Sequence, residues 1–275
     1  MSYTNKVTLL LLATQKEFNN GDVHKCLDKY FQENAISDYS IDLHISFNQG
    51  SALDYESLKT YENHNLINKV FILNQNLSDF DDMYIRNMQE FRIKKIRNVP
   101  PLGASSGPNN LFFKSLHTVC KSDYENILMI EPDSRPTIDN WLDGIVSYCD
   151  NSFCIAGSIY KGVQVISEFE AWSGHLNGIA LYKNTPETKY ILAQTEELIK
   201  YHVKHNINRF ISFDVGIHYF SQTRMFYKYF ENKNLTPLLN CDIITNYSLD
   251  SDIYLSIDEI LEDYPNTIIL HQKWN

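Results

Sequence analysis

The chain has 275 residues, of which 43% are hydrophobic and 21% are charged, so it can bury a sizeable core and is neither disordered nor a coiled coil. Its 24 basic and 34 acidic residues give a formal net charge of −10. This charge repels phosphate backbones and argues against a nucleic-acid-binding protein. An anionic substrate would therefore need a bound cation or a local basic patch.

The N-terminal sequence and the cysteines bear on the compartment of the protein. The apolar run at residues 7–13 is much shorter than the ~20 residues that span a bilayer, and it lacks the cleavage site of a signal peptide. We interpret it as a buried strand. The five cysteines form no C-x-x-C pair, which favours reduced thiols over disulfides or a zinc site. We expect a cytoplasmic protein without a transmembrane segment.

Apolar runs that alternate with helical patterns indicate an α/β fold. Continuous apolar runs predict strands at residues 7–13, 41–47, 69–73, 126–130, 153–159 and 178–182. Helical spacing predicts helices at residues 22–33, 109–120, 140–149 and 186–204. This order favours a mostly parallel central sheet with helices on both faces and with ligands beyond the carboxyl ends of the strands. No internal repeat or linker is evident, so we expect a single domain over residues 1–275.

Residues 99–108 form the clearest loop, with three of the eight prolines and two of the ten glycines. A helix that begins after a Gly/Ser loop can bind an anion, although an ordinary connection has the same composition. The chain has no G-x-G-x-x-G or Walker A motif, which argues against the common dinucleotide and P-loop sites. Just before this loop lies a basic run, which we interpret as a solvated face rather than a diphosphate grip: Arg92, Lys94, Lys95 and Arg97.

The strand predicted at residues 126–130 is followed by Glu131-Pro132-Asp133. In extended backbone, carboxylates at i and i+2 point to the same face, and Pro132 favours the β region for Glu131. Two adjacent carboxylates repel each other unless a cation lies between them, and hard ions such as Mn²⁺ or Mg²⁺ suit oxygen ligands. The alternative is a solvated turn in which these carboxylates cap the following helix.

Several further motifs follow in chain order: Pro136, Trp141-Leu142, the sequence His175-Leu176-Asn177-Gly178 with Tyr182, Phe213-Asp214 at a helix start, and His271 in a late apolar run. Together with the Glu-Pro-Asp triplet, they resemble the GT-A glycosyltransferases, nucleotide-sugar-dependent enzymes whose D-x-D motif ends a central strand and binds a metal. Glu131 replaces the first aspartate of that motif. Asp214 lacks the acidic neighbour of the E-D form, which leaves the stereochemical outcome open.

The resemblance implies a metal-dependent hexosyl- or pentosyltransferase that moves a sugar from a nucleotide-diphosphate donor to a hydroxyl of a glycan or other acceptor. It implies a donor-binding half at about residues 1–135 and an acceptor-side half at about 136–275. It also implies an acceptor that could hold the protein at the inner face of a membrane. The implied metal ligands for Mn²⁺ or Mg²⁺ are Glu131, Asp133 and His271. The implied donor contacts are Thr14, Asn109, Asn110, Lys114, Arg135 and Lys273, and the implied acceptor contacts are Trp172, His175 and Asn177.

Asp214 would be the catalytic base of an inverting reaction, and burial could raise its pKa into a useful range. Its alternative role is to cap a helix. Two other functions remain open. A sugar nucleotidyltransferase would show a Gly-rich basic loop after the first strand, which residues 14–17 do not form. A catalytically inactive glycan-binding module of the same fold would bind sugars without a metal.

Overall fold

The structure is a computed structural model that describes residues 2–50, 54–85, 88–162, 174–248 and 256–272. Within these residues the strands are β1 (Ser2–Tyr3), β2 (Val7–Ala13), β3 (Tyr39–Phe47), β4 (Ile67–Asn74), β5 (Asn126–Ile130), β6 (Ser134–Pro136), β7 (Phe153–Gly162), β8 (Leu176–Lys183), β9 (Thr236–Asn240), β10 (Ile244–Ser248) and β11 (Ile269–Gln272).

The helices of the same residues alternate with the strands over much of the chain. They are α1 (Gln15–Asn19), α2 (Asp22–Tyr30), α3 (Tyr55–Lys59), α4 (Met88–Ile93), α5 (Ser106–Val119), α6 (Trp141–Tyr148), α7 (Pro186–Lys204), α8 (Phe213–Ser221), α9 (Arg224–Phe230) and α10 (Ile257–Asp263), with short 3₁₀ helices at Thr60–Asn63 and Gly103–Ser105.

The strands pair in the order β1-β3-β2-β5-β8-β7-β10-β11-β6, with β4 also paired to β3 and β9 also paired to β7. All neighbouring pairs are parallel except those that involve β8 or β6, which run in the opposite direction. The expectation of a mostly parallel central sheet flanked by helices is confirmed.

The leucine run of β2 explains why the sheet is covered on both faces. Because successive side chains of a strand point to opposite faces, Leu9 and Leu11 join one hydrophobic core and Leu10 and Leu12 join the other. The first core packs against α2 and α6, and the second packs against α5, α7, α8 and α9. All seven residues of β2 are buried, as a central parallel strand requires.

The carboxyl ends of β2, β3 and β5 meet at one edge of the sheet, since these strands are parallel neighbours. Asn48, just beyond β3, joins the loops at this edge. Its Oδ1 accepts from the backbone N–H of Gln15 at 3.0 Å, and its Nδ2 donates to Asp82 at 2.7 Å. The residues that follow the strands are therefore held together here. Among the described residues, no helix is both long and apolar enough to cross a bilayer.

Candidate functional site

Three potential metal ligands meet at the carboxyl edge of the sheet. Nε2 of His271 lies 3.0 Å from Oδ1 of Asp133 and 3.9 Å from Oε2 of Glu131. One ligand atom from each residue lies within 4.8 Å of the other two. Glu131 follows β5, and His271 lies in β11. The two sequence regions predicted to form one metal site are thus adjacent.

The local backbone differs from the extended one that the sequence suggested. Residues 131–134 form a turn, in which the N–H of Ser134 donates to the carbonyl of Glu131 at 3.0 Å. Pro132 suits the second position of such a turn because its φ angle is fixed. After the turn, β6 pairs antiparallel with β11, and Ser134 lies opposite His271. The turn and the pairing of β6 with β11 therefore hold Glu131 and Asp133 close to His271.

Asn246 orients the His271 ring, a role that the sequence analysis did not assign. Its Nδ2 donates to the carbonyl of Ser158 at 2.8 Å, which leaves its Oδ1 to accept from Nδ1 of His271 at 2.9 Å. With the proton on Nδ1, the Nε2 lone pair faces Glu131 and Asp133. The β-branched residues 243–245 just before Asn246 are a local signal of a strand, although no strand is predicted there above.

This donor set fits a divalent cation. A lone pair on His271 Nε2 and a carboxylate oxygen only 3.0 Å away repel each other unless a proton or a cation lies between them. In many metal-binding histidines, the ring nitrogen that does not bind the metal donates a hydrogen bond, as Nδ1 of His271 does here. Two carboxylates and one imidazole suit Mn²⁺ and related ions.

The charges around Glu131 also favour a cation. Burial is the main cause that raises the pKa of Glu131 to about 7; the charge of His271 opposes it, and the charges of Asp133, Asp214 and Glu17 add to it. Because the charge of Asp214 contributes to the raised pKa of Glu131, these two carboxylates lie within electrostatic reach of each other. A divalent ion would relieve this repulsion.

Asp214 begins a second polar cluster on the same side of the sheet. It lies in the first turn of α8, and its Oδ1 accepts from the hydroxyl of Ser212 and from the N–H of Val215 at 2.8 Å. Its Oδ2 lies 3.4 Å from Nε2 of His175, which is buried just before β8. Asp214 and His175, predicted in separate roles, are thus direct neighbours.

The expectation of a raised pKa for Asp214 is wrong. Burial alone would raise the pKa. The hydrogen bond and charge of His175, the Ser212 hydroxyl and the Val215 N–H together outweigh burial and hold the pKa of Asp214 below its ordinary value. The carboxylate is therefore ionised at neutral pH, because these groups stabilise its charged form.

Gly178 allows the start of α8 to pack against β8. A Cβ at this position would lie 2.4 Å from Cζ of Phe213, closer than carbon atoms can approach. The Phe213 ring in turn stacks on Phe112 with ring centroids 3.8 Å apart. The glycine of the His175-to-Gly178 sequence thus sets the position of Phe213, and with it that of Asp214.

The predicted donor contacts occupy different environments. Thr14 caps α1, where it exchanges hydrogen bonds with Glu17 in a capping box. Asn109 is buried, and its amide donates to the carbonyls of Leu102 and Ile211 at 3.0 and 2.9 Å. These contacts account for Asn109 as a structural residue that ties the loop before α5 to the segment before α8.

The other predicted contacts are placed as follows. Asn110 donates to the carbonyl of Asp81 at 3.1 Å, Lys114 is exposed on α5, Arg135 lies in β6 opposite Leu270, and Oδ1 of Asn177 accepts from the N–H of Ile179 at 3.1 Å. Lys273 and Trp172 lie outside the described residues.

Comparison with solved structures reveals the same architecture in sugar-transferring enzymes. Mouse xyloside xylosyltransferase 1, in its apo form, aligns with 98% of this chain over 97% of its own, with a TM-score of 0.53 and 12% identity. The galactosyltransferase LgtC, in complex with donor and acceptor sugar analogues, aligns with 100% of this chain over 87% of its own, with a TM-score of 0.51 and 13% identity. This chain has the GT-A-like glycosyltransferase fold. No protein-family model and no curated protein sequence matches it.

Proposed function

We propose that this protein is a metal-dependent glycosyltransferase that moves a sugar from a nucleotide-diphosphate donor to a hydroxyl of a glycan or other acceptor. The observation that carries the proposal is the convergence of Glu131, Asp133 and His271, with Nε2 of His271 directed at the carboxylates. The GT-A-like fold supports the same reaction class. The proposed single domain has its donor side before about residue 135 and its acceptor side after it.

The donor side would hold the diphosphate through the metal-ligand residues. Glu131, Asp133 and His271 would bind Mn²⁺ or Mg²⁺, which supplies charge neutralisation for the diphosphate leaving group. Arg135 and Lys273 are the proposed protein cations for the same group. A chain with a net charge of −10 needs such cations to hold an anionic donor.

The acceptor side would place a hydroxyl beside Asp214. In the proposed inverting reaction the hydroxyl oxygen attacks the anomeric carbon, the bond from that carbon to the diphosphate oxygen breaks, and the hydroxyl proton passes to Asp214. The lowered pKa of Asp214 keeps it ready to accept a proton but makes it a weak base. His175, whose Nε2 lies 3.4 Å from Oδ2 of Asp214, would orient the carboxylate and, when neutral, share that proton.

The decisive experiment is a thermal-shift screen of nucleoside diphosphates with and without Mn²⁺. We expect stabilisation by one nucleotide only when Mn²⁺ is present, because a ligand that binds only the folded state raises the melting temperature. Asp133→Asn should remove this shift, whereas Asp263→Asn, an exposed change on α10, should leave it intact. Equal shifts without metal, or no nucleotide response but stabilisation by free glycans, would refute the proposal.

A further inference from the structure

Two surface segments combine positive charge with exposed apolar side chains. Residues 88–98 cover α4 and the loop after it, and residues 201–211 cover the end of α7 and the loop before α8. We call them together the basic-apolar surface. They contain one acidic residue, Glu90, and six basic ones, which are Arg92, Lys94, Lys95, Arg97, Lys204 and Arg209. This concentration contrasts with the net charge of −10 for the whole chain.

Direct contacts join the two segments. The rings of Phe91 and Phe210 meet edge to face, with centroids 5.9 Å apart. The carbonyl of Arg209 accepts from the N–H of Ala104 at 2.7 Å, and the carbonyl of Ala104 accepts from the N–H of Ile85 at 2.8 Å. The backbone at Ile85, Ala104 and Arg209 is therefore packed side by side, and the contact of Phe91 with Phe210 makes the basic-apolar surface continuous.

The apolar side chains of this surface point into solvent to an unusual degree. Ile93 is 71% exposed, Ile207 58%, Tyr201 54% and Met88 50%. Single exposed apolar residues are ordinary, but a group of them on neighbouring segments marks an interaction surface. Only Lys94 of the six basic residues has a carboxylate partner in the described part of the chain, Glu90 at 2.7 Å. Arg209 donates to the neutral Oδ1 of Asn206, which leaves its charge uncompensated, and no carboxylate of the described residues pairs with Arg92, Lys95, Arg97 or Lys204.

We propose that the basic-apolar surface docks the protein on a membrane that contains anionic lipids. Lys and Arg side chains are attracted to the negative surface potential of such a membrane, and exposed Ile, Met and Tyr side chains gain by entering the region between headgroups and acyl chains. Nucleic acid would use the charges but not the exposed isoleucines, and the remaining acidic surface would repel a long polyanion. A membrane satisfies both features at once.

The position of this surface has a consequence for the acceptor. Residue 211 is directly followed by Ser212, whose hydroxyl bonds to Asp214. A membrane bound at the basic-apolar surface would lie beside Asp214 and could present a lipid-linked acceptor there. This consequence rests on the proposed function, whereas the docking itself does not and is tested without any turnover.

The test is sedimentation of the whole protein with vesicles of phosphatidylcholine alone or with phosphatidylglycerol added. We expect binding only to the anionic vesicles, and release in 0.5 M NaCl, because the Debye length falls to a few ångströms in concentrated salt. Each basic residue near an anionic surface contributes roughly fivefold to binding. The triple change Arg92→Gln, Lys95→Gln and Arg97→Gln should therefore weaken it by about 100-fold.

Two matched controls separate this surface from general effects of charge and hydrophobicity. Gln at three exposed lysines elsewhere, Lys121, Lys189 and Lys228, should leave vesicle binding close to that of the parent. Ile93→Ser with Ile207→Ser should weaken binding at least tenfold, whereas Ile36→Ser with Ile138→Ser, also on exposed sites, should not. Equal loss in test and control variants, equal binding to neutral vesicles, or binding of poly-uridine without binding of vesicles would overturn the proposal.

Discussion

Replacement of Asn246 by leucine tests how His271, the proposed metal-binding histidine, is oriented. Leucine has a similar size but neither accepts a hydrogen bond from Nδ1–H of His271 nor donates one to the carbonyl of Ser158. Without an acceptor facing Nδ1, the ring can take its proton on Nε2 or rotate. Either change removes the lone pair that faces Glu131 and Asp133.

The expected loss follows from the role of such outer hydrogen bonds. Removal of a hydrogen-bond partner behind a metal-binding histidine typically costs 10- to 100-fold in affinity, which corresponds to about 1.4–2.8 kcal/mol. The variant also leaves the buried Ser158 carbonyl without the donor that Asn246 provides, which costs about 1–3 kcal/mol of folding free energy. Metal affinity and stability must therefore be measured separately.

Isothermal titration with Mn²⁺ and urea unfolding measure the two effects. Asn246→Asp keeps an acceptor for His271 but loses the donor to Ser158, so we expect it to be destabilised yet to bind Mn²⁺ more tightly than Asn246→Leu. Thr245→Val removes a neighbouring buried hydrogen bond, to Thr267 at 2.8 Å, and should not change metal affinity. A folded Asn246→Leu protein with the parent's Mn²⁺ affinity would refute the orienting role.

Four further changes test the rest of the site and the core. Asp133→Ala should abolish Mn²⁺-dependent nucleotide binding and turnover with almost no change in melting temperature, and a large loss of stability would instead indicate a structural role for its carboxylate. Asp214→Asn should bind the nucleotide normally but turn over at least ~10²-fold more slowly. In the parent protein, NMR should show that the anomeric configuration of the product is inverted relative to the donor, and a retained configuration would contradict a base role. Gly178→Val should cost about 1–3 kcal/mol in urea unfolding through its clash with Phe213, and an unchanged stability would show that the ring moves freely. Burial lowers the pKa of His44 to about 4. Between pH 6.5 and pH 4 the unfolded chain therefore binds a proton that the folded chain does not. As the pH falls through this range, about 3 kcal/mol of the free energy of unfolding should be lost. His44→Phe should flatten this dependence, and an equal pH slope in both proteins would assign it to other groups.

The elements that could be predicted from the sequence are those whose own residues show a continuous apolar run or a helical periodicity. The predicted bounds of β2, β5 and α7 agree with the structure, because two continuous apolar runs and one long periodic stretch between Thr185 and His205 leave little choice. Predicted α2 was too long at its end, since Phe31 already leaves the helical region. The short strands β1, β6 and β9 were missed. Their residues carry little apolar signal and pair only because a neighbour is already in place.

In the candidate site, too, some residues have a local sequence signal and others depend on strand pairing. Glu131 and Asp133 could be predicted because they follow a buried strand, and strand ends gather ligands in such sheets. His271 was predicted as a ligand only from the resemblance to the GT-A enzymes. The role of Asn246 depends on register. Strands β10 and β11 pair so that Asn246 lies directly opposite His271, 25 residues later, and a shift of one residue would turn its amide to the other face. Nothing near Asn246 in the sequence encodes that register, which depends on how β11 pairs with β10 and with β6. The candidate ligand residues can therefore be found from the sequence, whereas the hydrogen bond that directs His271 at the two carboxylates forms only when the strands are paired.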